Sequence, residues 1–123
     1  MAAAPSLGFP RARRIKQGRD FQRAKTQGKR VVHGCLIANW LPLPAGSPAR
    51  LGVITSAKIG NAVQRARARR LLREAYRLHQ LELAQPLDLV LVARLTIVGK
   101  SFAEVETDLL SALRRVGLWK KTA

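Results

Sequence analysis

Residues 50–77 read RLGVITSAKIGNAVQRARARRLLREAYR, and the fold turns on this stretch. Arg50–Ser56 is rich enough in apolar and β-branched residues to form a strand. A short turn, Lys58-Ile59-Gly60-Asn61, follows it. Asn61 is a good helix N-cap, and Gln64 sits at N3 with the spacing of a capping box. Residues 62–80 contain no Gly or Pro and are full of Ala, Leu, Arg and Gln, so they are predicted to form a helix. On a helical wheel Ala68, Leu71, Leu72, Ala75 and Leu78 share one arc. Arg65, Arg69, Arg73 and Arg77 lie opposite at four-residue spacing. One face is therefore predicted to bury and the other to project a ridge of guanidiniums.

That ridge carries the functional information. A solvated charged face normally alternates signs to gain i,i+4 pairs, whereas like charges at i,i+4 destabilise an isolated helix. Glu74 is the only acid within the helix. Guanidinium is also the group suited to bidentate phosphate contact. The Lys58–Asn61 turn adds free N–H groups at the positive end of the helix dipole, a ready anion site.

Outward from this stretch, Gly18 to Gln27 reads as a short helix with Gly28 at its C′ position. Val31–Leu41 reads as a strand, Pro42–Ala49 (PLPAGSPA) as a loop, and Arg50–Ser56 as a second strand in a hairpin with the first. Residues 31–56 divide into two or three strands. Leu87–Leu95 (LDLVLVARL) is a near-continuous apolar run, as expected of a strand buried on both faces. Ser101 caps a last helix with Glu104 at N3. Its apolar stripe is Phe102, Val105, Leu109, Leu113 and Val116, and Gly117 closes it. The predicted fold is α+β, a single small α/β sandwich of order α-β-β-β-α-β-α with helices packed on a three- or four-stranded sheet. Residues 1–12 are expected to be an extended lead-in, 13–117 the domain, and 118–123 a basic tail.

Composition narrows the partner. The 123 residues contain 23 Lys and Arg against 7 Asp and Glu, a net charge of +16. Self-repulsion of this size disfavours the compact state and points to a polyanion. The charge is lopsided: residues 1–77 hold 17 basic and 2 acidic residues, and residues 78–123 hold 6 and 5. The lone Cys35 forms no internal disulfide and suits a reducing, cytoplasmic setting, packing as a small hydrophobe. His33, His79 and Cys35 match no zinc pattern. Glu104, Glu106 and Asp108 open a helix, where carboxylates favour the dipole, and do not read as a catalytic pair. Residues 1–10 are small and apolar, but basic residues follow rather than precede them, the reverse of a secretory signal. No stretch reads as a membrane span. Phe21, among Asp20, Arg23 and Lys25, either stacks a base or anchors the first helix to the sheet. Trp40 reads as a strand cap or a contact.

The central run resembles the signature of the bacterial ribonuclease P protein component. The matching residues are Gly52, Ser56, Lys58, Ile59, Gly60, Ala62, Val63, Arg65, Arg69, Arg70, Arg73 and Glu74. Arg19-Asp20-Phe21-Gln22 and Gly28 resemble the family's first helix, residues 88–94 its last strand, and residues 101–116 its last helix. The resemblance spans about Arg13 to Val116. It departs from the family at Ala66, where an Asn stands between two arginines, and at Lys25, where a second aromatic often follows the first.

The resemblance implies a left-handed β-α-β crossover around the arginine helix, against the general right-handed rule. It also implies a non-catalytic subunit. A large RNA cleaves precursor transfer RNA to release the 5′ leader, with Mg²⁺ held by RNA and substrate and none by protein side chains alone. Lys58, Asn61, Arg65, Arg67, Arg69, Arg70 and Arg73 are the expected contacts to the catalytic RNA. Arg13, Phe21, Lys25 and Ser56 are the expected contacts to the leader. The free protein is expected to be a cytoplasmic monomer. The rival readings are a ribosomal or other structured-RNA-binding protein without a role in tRNA processing, a stand-alone nuclease, which would need a carboxylate cluster or His pair near the basic face, and a DNA-binding protein, which would display Asn or Gln on a recognition helix.

Overall fold

A computed structural model describes residues 14–120. The elements run α1 (Gly18–Gln27), β1 (Lys29–His33), β2 (Leu36–Pro42), β3 (Arg50–Ile54), α2 (Ala62–His79), β4 (Leu87–Ala93) and α3 (Phe102–Arg115). Short 3-10 turns cover Ala57–Ile59, Gln80–Glu82 and Leu95–Ile97. Both capping boxes form: Asn61 with Gln64 opens α2, and Ser101 with Glu104 opens α3.

The four strands make one mixed sheet in the order β1-β2-β4-β3. Two sequence expectations change here. The run Val31–Leu41 is two strands, β1 and β2, broken at Gly34–Cys35 and paired antiparallel. Gly34 takes φ +55°, and the Asp108 carboxylate accepts the Cys35 N–H at 3.0 Å, which pins the turn to α3. The expected hairpin between 31–41 and 50–56 does not form. β4 inserts between them, antiparallel to β2 and parallel to β3. The physical reason lies in β4, whose residues from Leu87 to Leu91 are all buried and belong at the centre of a sheet. The connection after β2 is long enough to pass the end of β4, and Leu43 donates its N–H to Pro86 O at 3.0 Å as it goes by.

The pleat sorts the core into two layers. Leu36, Ala38, Trp40, Leu51, Leu89 and Leu91 face α2 and α3, where Ala68, Leu72, Ala75, Tyr76, Val105, Leu109, Ala112 and Leu113 complete the main cluster. The opposite face packs Val90 against Ile15 and Ala24 of the α1 region, with Phe21, Ile54 and Val92 at its margin. On α2 the buried arc is rotated slightly from the wheel: Leu72 is fully buried, Leu71 is half-buried, and Tyr76 joins the core.

Leu118 to Lys120, read above as the start of a basic tail, pack onto the body. Leu118 is buried, Ala84 N–H donates to Leu118 O at 2.8 Å, and Lys120 N–H donates to Glu82 O at 2.7 Å. The lead-in at 1–12 and residues 121–123 lie outside the described residues.

Candidate nucleic-acid interface

Of the expected ridge, Arg65, Arg69 and Arg73 lie along the β3 flank of α2, while Arg67 and Arg70 leave from its α3 flank. Each flank is held by a contact outside the helix or at its cap. On the β3 side, Arg69 Nη1 donates to Thr55 Oγ1 at 2.8 Å, and Arg65 Nη1 donates to Gly60 O at 2.8 Å. On the α3 side, Arg67 Nη2 donates to Lys100 O at 2.8 Å. A guanidinium has five N–H donors, so these tethers fix direction and leave most of the donors available. Arg77 is separate: it grips Glu74 through Nε at 3.0 Å and Nη2 at 2.6 Å. Among the described residues no carboxylate pairs with Arg65, Arg67, Arg69, Arg70 or Arg73. Burial, together with the charges of Arg14 and Arg69, pushes the Arg73 guanidinium below its ordinary value. The folded protein thus holds a concentration of like charge that a phosphate would relieve.

Arg73 also lines a second feature. A concavity of about 200 Å³ lies between α1, β3 and α2, bounded by Arg14, Lys16, Phe21, Gly52, Val53 and Arg73 among others. Phe21 is half-buried at its wall, and Gly52 provides its floor. A Cβ at Gly52 would strike the Phe21 ring, with Cζ at 2.7 Å. The aromatic therefore lies directly over the β3 backbone. Phe21 packs on the α1-side cluster, as the anchoring reading expects, and stays half-buried. The chain before α1 closes the β3 edge: Ile15 N–H donates to Leu51 O at 2.9 Å, which brings Arg14 and Lys16 to the cleft.

The position of α1 is set by residues that the sequence reading passed over. Arg50 of β3 makes a bidentate pair with Asp88 of β4, at 2.8 and 2.6 Å, and reaches Asp20 of α1 at 3.5 Å. Asp88 is fully buried. The usable signal was an acid interrupting the apolar run LDLVLVA, since a buried charge must be paired.

The other expected contacts fall as follows. Ser56 caps the Ala57–Ile59 turn by accepting from Lys58 N–H at 3.3 Å, leaving the Lys58 side chain exposed. Asn61 Oδ1 is occupied by Gln64 N–H at 2.9 Å. Lys25 is exposed on α1, one turn beyond Phe21. Arg13 lies outside the described residues.

All seven carboxylates are engaged. Asp20 and Asp88 hold Arg50, Glu74 holds Arg77, Glu82 and Glu106 flank His79, Glu104 caps α3, and Asp108 accepts Cys35 N–H. Among the described residues no cluster of three or more His, Cys, Asp or Glu could hold a metal ion. Burial, reinforced by the Asp108 carboxylate, pushes the Cys35 thiol up to about 12. Such a thiol is inert as a nucleophile. Among the described residues no helix is long and apolar enough to cross a membrane.

The fold and its arginine helix define a small basic α+β protein with a surface suited to a polyanion. A model of the Ribonuclease P family matches residues 9–117, and the chain belongs to that family. It is 39% identical over 111 residues to the ribonuclease P protein component of Gluconacetobacter diazotrophicus, covering 88% of this chain and 94% of that one. It is 34% identical over 110 residues to the same component of Bacillus velezensis, covering 89% and 94%. Among solved structures it resembles the Staphylococcus aureus RNase P protein, with TM-score 0.78 at 26% identity over 89% of this chain and 99% of that one. The Thermotoga maritima RNase P protein gives TM-score 0.73 at 25% identity over 83% and 96%.

Proposed function

We propose that this chain is the protein subunit of ribonuclease P and supports removal of the 5′ leader from precursor transfer RNA without doing the chemistry itself. The observation that carries the reading is the pairing of five α2 arginines that no carboxylate holds among the described residues, Arg65, Arg67, Arg69, Arg70 and Arg73, with a separate aromatic-walled cleft to which Arg73 also belongs. The helix suits the phosphates of a folded catalytic RNA. The cleft suits a single strand, which is gripped by charge together with stacking on an aromatic face. Phe21 and Gly52 offer the face, and Arg14, Lys16 and Arg73 offer the charge. Arg73 then lies where leader and catalytic RNA meet.

The same observations support a protein that is not the catalyst. General acid-base or metal-assisted hydrolysis needs titratable groups that converge on one point. Here every carboxylate is committed to a structural partner, and the described residues do not fit a protein-held divalent ion. In this reading Mg²⁺ is held by the RNA and the substrate. The comparisons give no support to a ribosomal role outside tRNA processing.

The test is reconstitution. The purified chain is mixed with a bacterial ribonuclease P RNA and end-labelled precursor transfer RNA, at Mg²⁺ too low for the RNA alone to act. Leader release only when both components are present supports the reading. Release by the protein alone, or no stimulation at any protein concentration, overturns it.

A further inference from the structure

The α3-facing flank of α2 opens into a groove of about 500 Å³, bounded by Arg67, Arg70, Leu71, Arg73, Glu74 and Phe102. Its volume falls in the range of small-molecule sites, about 300–1,000 Å³. Its composition is unusual for a phosphate-binding surface. Leu71 and Phe102 are half-buried and give it an apolar patch, while three guanidiniums stand around them. Leu71 is the residue that the helical wheel placed in the core and the structure leaves at its edge. Phe102 is the first residue of α3, held there by the Ser101–Glu104 capping box. Arg67 is tethered toward the start of α3 by its bond to Lys100 O at 2.8 Å. The single carboxylate present is quenched, because Glu74 is clamped by Arg77 on both oxygens. Leu71 and Phe102 pack inward against the main core and also line the groove, so an apolar surface stands among the guanidiniums that phosphate contact alone does not use.

We propose that this groove takes one unpaired, splayed-out nucleotide of the catalytic RNA, its base stacked on Phe102 and covering Leu71, its phosphates on Arg67 and Arg70. The proposal rests on the ribonuclease P reading given above and adds a base-accepting subsite distinct from the leader cleft. The chemistry fits on both counts. Bases in RNA loops and bulges are recognised by being unstacked and laid on aromatic or guanidinium planes. The guanidiniums are free of carboxylates, so the anionic backbone has no competitor among the described residues. The groove commits the helix to a folded RNA displaying a bulged or looped base, rather than to a uniform duplex surface.

Stacking and phosphate contact have different salt signatures, which makes the proposal testable. Removing a phosphate contact weakens binding and makes log K against log salt shallower by about one unit. Removing a stacking partner weakens binding at every salt concentration with the slope unchanged. The full chain, F102L, F102Y and R70A are titrated with a bacterial ribonuclease P RNA at several salt concentrations, with thermal melts alongside. F102L should bind about tenfold more weakly with an unchanged slope, F102Y should bind as the parent does, and R70A should bind more weakly with a shallower slope. If F102L binds like the parent while R70A is weakened, the groove holds no base and the subsite is refuted, with the RNA-binding reading intact. If F102L and F102Y are equally weakened, the effect is packing and the proposal also fails. If the parent itself does not bind this RNA, it is the underlying reading that fails.

Discussion

Arg50 and Asp88 face each other on neighbouring parallel strands and close a two-toothed pair at 2.8 and 2.6 Å, with the carboxylate fully buried. Arg50 then extends to Asp20, so one guanidinium joins β3, β4 and α1. The cleft over β3 has its shape because this clasp sets where α1 lies on the sheet. Removing Arg50 would leave the Asp88 carboxylate buried and unpaired, whereas Arg50 keeps Asp20 if Asp88 is lost. Arg50→Ala is therefore expected to cost about 3–5 kcal/mol, the usual cost of breaking a buried pair. Urea unfolding checks it, and a loss below about 1 kcal/mol would mean that the clasp is incidental.

Gly52 is the other determinant of the cleft. In Gly52→Ala the new methyl would meet the Phe21 ring, which must move out of the wall. A cost of about 1–3 kcal/mol is expected from this overpacking. Affinity of the reconstituted complex for precursor transfer RNA with a leader should fall, while affinity for mature transfer RNA should hold. Equal losses on both substrates would detach Phe21 from leader binding.

The elements of this fold were legible where their signals are local. Two capping boxes, the glycines that end α1 and α3, and the apolar run of β4 placed the helices and the buried strand. Strand order was not legible, because β3 and β4 pair in parallel across the whole of α2 and no nearest-neighbour rule specifies that. The hairpin expected between β2 and β3 follows from adjacency in sequence, and burial of β4 overrides it. The interface was legible as a charged helix but not as two flanks. Which way Arg67 and Arg69 lean depends on Lys100 and Thr55, which lie far from them along the chain. The Arg50–Asp88 clasp escaped notice for the same reason, its partners being 38 positions apart.

At the far end of α2, His79 sits between Glu82 at 2.6 Å and Glu106 at 2.8 Å, edge-on to Trp119. Burial alone would lower its pKa, but the hydrogen bonds to Glu106 and Glu82 outweigh burial and raise it above the usual value. The folded state therefore binds this proton more tightly than the unfolded chain does. The stabilisation is complete below about pH 6.5, the unfolded value, and is lost as pH rises through the raised folded value. Urea midpoints measured across this range should fall with rising pH in the parent and fall less in His79→Gln. Parallel curves for the two proteins would contradict the assignment.

Ala66 stands half-buried on α2 between Arg65 and Arg67, at the position where the family resemblance leads one to expect Asn. An Asn side chain donates and accepts hydrogen bonds, and a methyl does neither. Ala66→Asn is expected to tighten binding to ribonuclease P RNA by about 0.5–1.5 kcal/mol, the net worth of one hydrogen bond. Helix stability should drop by a few tenths of a kcal/mol, about the difference in propensity. Affinity and melting temperature report the two effects separately. Unchanged affinity would mean that this chain docks with a different register.

The central claim is that α2 neutralises the phosphates of the catalytic RNA, and the salt dependence of binding tests it most directly. Equilibrium affinity for a bacterial ribonuclease P RNA is measured across monovalent salt at fixed Mg²⁺, for the full chain and for Arg73→Ala. With about six phosphates neutralised, log K against log salt should fall with a slope of about −4 to −5. The Arg73→Ala line should be shallower by about one unit, with its melting temperature unchanged. A slope near zero for the full chain, or identical slopes for the two proteins, would contradict the account.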